Sequence, residues 1–423
     1  MLQINYIREN KAAVIDGLTK KYFTDAEKIV NQIIEIDQIR RDTQHNLDLM
    51  LAEANSKAKA IGDLMKAGKK EEAEKEKVTA TDIRAKTKEL QELHTAKDEE
   101  LTTLLLKLPN LPHHSVPAGR TAEENLNIFS KGEMPVLHAG AQPHWELIKK
   151  YDIIDFEVGN KITGAGFPVY KNKGARLQRA LINFFLDEAG NSGYMEVQPP
   201  IMVNEASAYA TGQLPDKDGQ MYYASEDKFY LIPTAEVPIT NMYRDMIVKE
   251  EDLPIKNTGY TPCFRREAGS WGADVRGLNR LHQFDKVELV QIATPETSYA
   301  ILEEMKKHVQ GLLEKLELPY RILHLCAGDM SFTSALTFDF EVYSAAQKRW
   351  LEVSSVSNFE AYQANRLKLR YKVDGKMQLL HTLNGSALAL PRIVASILEN
   401  NQTPEGIRIP KVLQAYTGFD LIN

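Results

Sequence analysis

From Thr24 to Lys107 the chain uses almost no glycine or proline and draws instead on Lys, Glu, Ala, Gln and Leu. Such a stretch lacks the turn residues that a sheet requires, and its composition specifies long helix. Positions 29, 33, 36, 40, 43, 47, 50, 54, 57, 61 and 64 follow one another in steps of four and three, and Ile29, Ile33, Ile36, Leu47, Met50, Ala54, Ile61 and Leu64 among them are apolar. A stripe that repeats every 3.5 residues is the seam of a coiled coil. Thr24, with Glu27 three residues on, reads as a capping box at its start. "KAGKK" supplies a turn at Gly68, and a second helix over about 71–107 carries Ile83, Leu90, Leu101 and Leu104 on a looser stripe. Two helices of matched length joined by a tight turn make an antiparallel hairpin, and at 1.5 Å per residue the first spans on the order of 60 Å. Taken alone, such a hairpin is a dimerisation or spacer element. Its turn region is basic, with ten Lys and Arg against six Asp and Glu between Lys57 and Lys88, in a chain of formal net charge −6. A solvated helical face and an anionic partner both fit that local excess.

"LPNLPHHSVPAG", residues 108–119, ends the helical region, because each proline blocks helix continuation and holds its predecessor extended. Two domains follow from this, 1–110 with the long arm and 111–423. The second domain mixes a helix near 175–189 with strands around "GYMEVQPPIMV", "NTGYTPCFRRE", "RLHQFDKVELVQI", "TFDFEVYS", "WLEVSSVSN", "RLKLRYK" and "MQLLHTLNG", and closes with a helix from about Ala389. Strands that follow one another without intervening helices favour an antiparallel sheet, so the fold class is α+β. Two cysteines, Cys263 and Cys326, cannot supply a disulfide framework or a four-ligand zinc site, which favours a reducing cytoplasm. No run approaches the roughly 18 apolar residues of a membrane span.

Chemistry concentrates in "PCFRREAGSWGADVRGLNRLHQFDKVEL". Two strands flank a loop holding Gly269, Gly272 and Gly277, with Arg276 and Arg280 at its far side. In a strand Arg265 and Glu267 would share one face and Arg266 the other. Arginine pairs well with phosphate oxygens, and Phe284 on the returning strand offers a flat face to a purine. A surface ion pair with a core phenylalanine fits the same residues. "LIPTAEVPIT" sets Thr234 and Glu236 beside prolines, "RWLEVSSVSN" places Glu352 and Ser355 three apart as oxygen donors for a hard cation such as Mg²⁺, and "HTLNGSALALPR" leads from small residues into a helix near Arg392.

Over essentially its whole length the chain resembles the bacterial-type seryl-tRNA synthetases, a class II family. The resemblance rests on the hairpin, on "VPAG" followed by "EEN", and on "TGQLP", "TAEVP", "FRREAGSWGADVRGLNRLHQFDKVEL", "WLEVSSVSNFEAYQANR" and "HTLNGSALALPR". Arg265, Glu267 and Phe284 match the second class II motif, "NGSALALPR" with Arg392 the third, and "LQRALINFFLDEAG" with "YMEVQPP" the first, where Pro200 would lie near a homodimer contact. The third motif departs from the class in carrying Ala387 and Ala389 where glycines are common.

The resemblance implies ATP and Mg²⁺ as substrate and cofactor, and L-serine with tRNA(Ser), and tRNA(Sec) as a further acceptor, as partners. Arg265 and Arg392 would hold the α- and γ-phosphates and Arg280 the triphosphate tail, with Glu267 accepting from the adenine amino group and Phe284 stacking on its ring. Arg265, Glu267 and Arg392 would be the catalytic set, with Arg266, Leu281, Val353 and Ser354 completing the ATP site and Glu352 and Ser355 holding the metal. Thr234, Ala235, Glu236, Arg265, Glu288, Asn384 and Ser386 would form the serine pocket. It further implies that the arm of one subunit holds a tRNA whose acceptor end enters the other subunit's site. Two other functions suit parts of the same sequence: a synthetase-like paralogue that loads an amino acid onto a carrier protein, and a non-catalytic coiled-coil binding protein.

Overall fold

The stripe over 29–64 builds one long helix. A computed structural model describes residues 1–216, 218–267 and 276–423. Its chain divides into two units, Met1–Pro109 and Asn110–Asn423. In the first, α1 (Ile4–Glu9) and α2 (Lys11–Lys20) precede α3 (Ala26–Lys66), and Gly68, at φ +75°, turns the chain into α4 (Lys70–Leu105). A glycine takes that left-handed conformation without a Cβ clash. Ion pairs from Lys57 to Glu76 at 2.8 Å and from Arg40 to Asp98 at 3.8 Å set α4 antiparallel to α3.

Two expectations at the start of α3 need correcting. Asp25 occupies the N-cap position at φ +58° with no side-chain cap, so the Thr24–Glu27 capping box does not form. A cap of that kind needs an extended N-cap residue, and a left-handed one misdirects it. Ile29 is half-buried while Val30 is fully buried, because α1 and α2 pack beside α3 with Ile7, Val14 and Leu18 and widen the seam. Further along, Ile33, Ile36 and Leu47 are buried against a partner stripe that includes Ala73, Ala80, Ile83 and Leu101.

The same widening buries Asp37 completely. Arg8 and Arg40 reach its carboxylate at 2.8 and 2.9 Å, and Arg41 at 3.1 Å. Burial pushes the Asp37 carboxyl up, but hydrogen bonds from Arg40 and Arg8 outweigh it and hold the group below its ordinary range.

In the second unit an eight-stranded sheet forms from β1 (Leu126–Lys131), β2 (Met195–Glu196), β3 (Ile255–Phe264), β4 (Gln283–Ala293), β5 (Tyr320–His324), β6 (Leu336–Ser344), β7 (Arg349–Asn358) and β8 (His381–Ala389). Its order is β1-β5-β6-β7-β8-β4-β3-β2, antiparallel apart from the β2/β3 pair. "GYMEVQPPIMV" gives only the short strands Met195–Glu196 and Met202–Val203, since Pro199 and Pro200 have no N–H to donate to a ladder. The helices that cover the sheet or position the site are α5 (His144–Lys150), α6 (Asn172–Asn191), α7 (Glu236–Asn241), α8 (Ser298–Lys315), α9 (Ala361–Leu367) and α10 (Leu390–Asn400), with further short ones at Phe156–Ile162, Glu205–Ala210 and Lys411–Thr417. "RLKLRYK" is split between the end of α9 and a strand over Arg370–Val373, with Lys368 at φ +53° making the break. Helices α6, α8 and α10 cover one face of the sheet, where Phe184, Met305 and Ile393 meet Val287 and Leu289 in the main core. The opposite face is left for the site.

Asp37→Ala leaves three arginines around an emptied carboxylate position. Because those arginines are partly solvated, the expected loss is about 1–3 kcal/mol, read from thermal unfolding followed by helix circular dichroism. A depressed folded pKa makes this contribution complete above the unfolded carboxylate value and lost as pH falls through the folded one, so parent and variant should converge in acid. A variant within about 0.5 kcal/mol of the parent at neutral pH would show the cluster to be energetically inert.

Candidate active site

Strand β4 carries its chemistry at every second residue. Val287 and Leu289 face the helices, so Phe284, Lys286 and Glu288 face the other way. Above that face lies a cavity of about 640 Å³, the size of a small-molecule site. The structure brings Thr234, Glu236, Arg265, Glu267, Arg280, Leu281, Phe284, Glu352, Val353, Ser354, Ser355, Asn384, Ser386 and Arg392 to its walls. Three expected residues stand apart from them. Ala235 is buried, Glu288 is fully buried beneath the wall, and Arg266 is exposed, with its guanidinium 6.0 Å from the Tyr222 ring.

The expected strand alternation of Arg265 and Glu267 does not occur. β3 ends at Phe264, and Glu267 takes a left-handed φ of +48°. Only the Arg265 N–H continues the ladder, to the His282 carbonyl at 3.0 Å, while the Arg266 N–H turns to Gln220. The two side chains reach the cavity separately: the Arg265 guanidinium lies 5.2 Å from the Phe284 ring centroid, and Glu267 accepts from Arg280 at 2.8 Å. Of the loop glycines, Gly269 and Gly272 lie outside the described residues. Arg392, in the first turn of α10, donates to the carbonyls of Glu352 at 2.7 Å and Asn279 at 3.1 Å. Cationic side chains and a helix N-terminus thus converge on one wall, a setting for phosphate.

A second group is anionic. Asn384 donates to Glu236 at 2.8 Å and to Glu288 at 3.0 Å. Gln363 donates to the other Glu236 oxygen at 2.7 Å, and Thr234 donates to Glu288 at 3.1 Å. Lys286 sits 2.5 Å from Glu288 and donates to Thr234 at 2.9 Å. Burial, reinforced by the Glu288 charge, pushes the Glu236 carboxyl up to about 7. Two carboxylates served by one buried lysine leave room for a ligand ammonium. Lys286 and Gln363 were not among the sequence candidates. Lys286 had a signal, since a lysine at the midpoint of a Phe-x-Lys-x-Glu alternation shares their face; Gln363, on α9, had none.

Glu352 and Ser355 are an odd number of residues apart and would normally face opposite ways. In β7 they do not, because Glu341 pairs with Glu352 and Phe340 with Ser354, which leaves Val353 as a bulge. Beyond the bulge Ser355 pairs with Asp339 of β6. Among the described residues the buried Asp339 Oδ1 has no hydrogen-bond partner, and burial with the nearby Glu352 charge pushes its carboxyl well above the usual range. Glu352 has the Arg392 guanidinium 3.7 Å away, and its carboxylate with the Ser355 hydroxyl supplies oxygens suited to a hard ion such as Mg²⁺ that takes further oxygens from phosphate. No group of three or more His, Cys, Asp and Glu with metal-holding geometry occurs among the described residues.

Residues 1–112 match the seryl-tRNA synthetase N-terminal domain, and residues 221–401 match the class II tRNA synthetase core domain (G, H, P, S and T). A serine–tRNA ligase of Salinibacter ruber is 49% identical over 428 residues, covering 99% of this chain and 98% of its own. The chain belongs to the seryl-tRNA synthetase family. The synthetase from Pyrococcus horikoshii, solved in complex with ATP, superposes with a TM-score of 0.92 at 33% identity over 100% of this chain and 99% of its own. The cytoplasmic serine–tRNA ligase of Naegleria fowleri, solved with AMP, gives 0.87 at 27% identity with the same coverage. Membership makes the chain a seryl-tRNA synthetase in fold and an aminoacyl-tRNA ligase in activity, and it removes the carrier-protein and scaffold alternatives.

A raised folded pKa at Glu236 makes its ionisation costly to the fold. The penalty is absent below the unfolded value near 4.5 and complete above about 7. Glu236→Gln removes it, while its hydrogen-bond changes are independent of pH. The variant should therefore gain about 2–3 kcal/mol relative to the parent between pH 5 and pH 8, measured by denaturant unfolding without substrates. Equal differences at both pH values would place Glu236 in a solvated setting.

Proposed function

We infer that this cavity condenses L-serine with ATP to seryl-adenylate and then passes the seryl group to tRNA(Ser). The carrying observation is that one sheet face holds a buried carboxylate pair for an ammonium beside Arg265, Arg280 and Arg392 for a polyphosphate. The Pyrococcus relative's complex with ATP and the Naegleria relative's with AMP support the nucleotide half of that reading.

In the reaction a serine carboxylate oxygen bonds to the α-phosphorus, and the bond from phosphorus to the bridging oxygen breaks to release pyrophosphate. Arg265 holds the α-phosphate and Arg392 the γ-phosphate of a bent ATP, with Arg280 on the tail, so that charge is met by fixed donors as it shifts. Glu267 accepts from the adenine amino group and Phe284 stacks on the ring, with Arg266, Leu281, Val353 and Ser354 framing the nucleotide. Glu352 and Ser355 would hold Mg²⁺, which when bound neutralises phosphate charge. Glu236 and Glu288 receive the ammonium, and Thr234, Ala235, Asn384 and Ser386 shape the pocket around the hydroxyl. These groups chiefly position reactants, which converts an encounter into an effectively unimolecular step.

The unit of α1–α4 serves the tRNA. Its hairpin is about 60 Å long by helix rise and presents Lys66, Lys69 and Lys70 at the turn, a shape suited to the sugar–phosphate backbone rather than to base edges. A homodimer is supported by exposed Met195, Ile201 and Met202 around the first class II motif. A cytoplasmic setting fits the two free cysteines and the absence, among the described residues, of a helix long and apolar enough to cross a membrane. The same arm would admit tRNA(Sec) as a second acceptor.

Replacing residues 28–106 by a short linker should leave serine-dependent pyrophosphate exchange near the parental rate and cut aminoacylation of tRNA(Ser) by about a hundredfold or more. Changing Lys66, Lys69 and Lys70 to alanine should do less, and should flatten the dependence of tRNA affinity on salt. Parental charging by the truncated enzyme would reduce the arm to a spacer.

A further inference from the structure

The returning limb of the loop between β3 and β4 is held by a helix that the site described above does not include. Arg276 stacks its guanidinium 4.7 Å from the Trp145 ring centroid and pairs with Glu146 at 3.5 Å. Leu278 donates its backbone N–H to His144 Nε2 at 2.8 Å. The Asn279 side chain donates to Gln347 at 3.1 Å, and its carbonyl takes the Arg392 bond. Residues 144–146 open α5, so three successive side chains of one helix grip the three residues that lead to Asn279 and Arg280.

His144 is the buried centre of this grip. Its side chain and that of Glu399 are both fully buried, with Nδ1 to Oε1 at 2.6 Å. Glu399 also accepts from the His144 backbone N–H at 2.9 Å, from Gln347 at 3.0 Å and from the Ser344 hydroxyl. A backbone N–H can only donate, so the Nε2 that receives Leu278 carries a lone pair, and the ring proton resides on Nδ1 and points to Glu399. The tautomer is therefore fixed by its two partners. Gly277 allows the approach: at φ +64° its missing Cβ would fall 2.3 Å from His144 Nε2.

We propose that His144 is a positioning residue for ATP, an Nδ1-protonated imidazole that pins Leu278 so that Asn279 and Arg280 meet Arg392 and the polyphosphate in one geometry. The pin touches no substrate. It acts through the backbone of the loop, and Glu399 in α10 ties it to the helix whose first turn carries Arg392. The proposal rests on the nucleotide reading above.

The test is pyrophosphate exchange by the full-length enzyme with His144→Asn and His144→Gln, the KM values for ATP and serine being measured separately. Asn keeps a donor for Glu399 but cannot reach Leu278, whereas the Gln amide oxygen reaches the place of Nε2. His144→Asn should raise the ATP KM about tenfold, the equivalent of about 1.4 kcal/mol for a buried N–H left without its acceptor, and leave the serine KM within about twofold. His144→Gln should recover most of the loss. An unchanged ATP KM in His144→Asn, or KM values for ATP and serine that rise together with no recovery in His144→Gln, would overturn the proposal. Should His144→Asn fail to fold, Gly277→Ala breaks the same contact from the loop side and leaves Glu399 untouched; an ATP KM that does not rise there overturns it equally. Arg392→Ala run in parallel tests the underlying reading: an ATP effect there with none at His144 removes only the positioning role, and no ATP effect at Arg392 removes the nucleotide reading itself.

Discussion

Two buried carboxylates organise the catalytic unit. Neither Glu236 nor Glu288 could be desolvated alone, since an isolated ion in a protein interior costs several kcal/mol or more. Their partners are drawn from distant parts of the chain: Thr234 precedes α7, Lys286 shares β4 with Glu288, Asn384 comes from β8 and Gln363 from α9. Satisfying the pair therefore fixes the relation of β4 to β8 and seats α7 and α9 on the same face. Charge balance within the group is incomplete, with one lysine for two carboxylates: burial, and after it the Glu288 charge, raise the Glu236 carboxyl more than Lys286 lowers it. A ligand that brings an ammonium restores the balance, so the fold's least comfortable interaction is also its recognition element.

The phosphate side solves the opposite problem, which is to hold several cations close together without a bound anion. Arg265 lies against the Phe284 ring, Arg280 rests on Glu267, and Arg392 is held by two backbone carbonyls. Each arginine thus has a partner that fixes its direction. Phosphate oxygens can replace or join these partners with little rearrangement, which is how preorganised donors stabilise charge that moves during a reaction. The bulge at Val353 belongs to the same economy of geometry, since one unpaired residue turns Glu352 and Ser355 to a common face.

Features with a period were legible in the sequence. The heptad over 29–64 gave the hairpin, because a helix face repeats along the chain, and the strand flanking Phe284 followed from alternation. Features that depend on partners far away in sequence were not. Asp37 falls off the heptad and is buried only because α1 and α2 close over it. The Thr24–Glu27 box fails for a backbone reason, the left-handed Asp25, that no residue type announced. Glu267 was placed on a strand that ends three residues earlier, although it reaches the expected cavity. His144 and Glu399 are separated by 255 positions, and nothing local marks a histidine at a helix start as the acceptor of a loop N–H. Most of the candidate site residues could be named from the motifs of a known family; how they are held could not.

On this structure a carboxylate pair with a polar pocket selects serine. Pyrophosphate exchange by the parent enzyme with each of the twenty amino acids tests it directly. Serine should support exchange, and alanine, which lacks only the hydroxyl, should be disfavoured by about 10⁴ or more because it leaves buried polar groups unpaired. Comparable exchange with alanine or any other amino acid, or none with serine, would show that the pocket does not select serine.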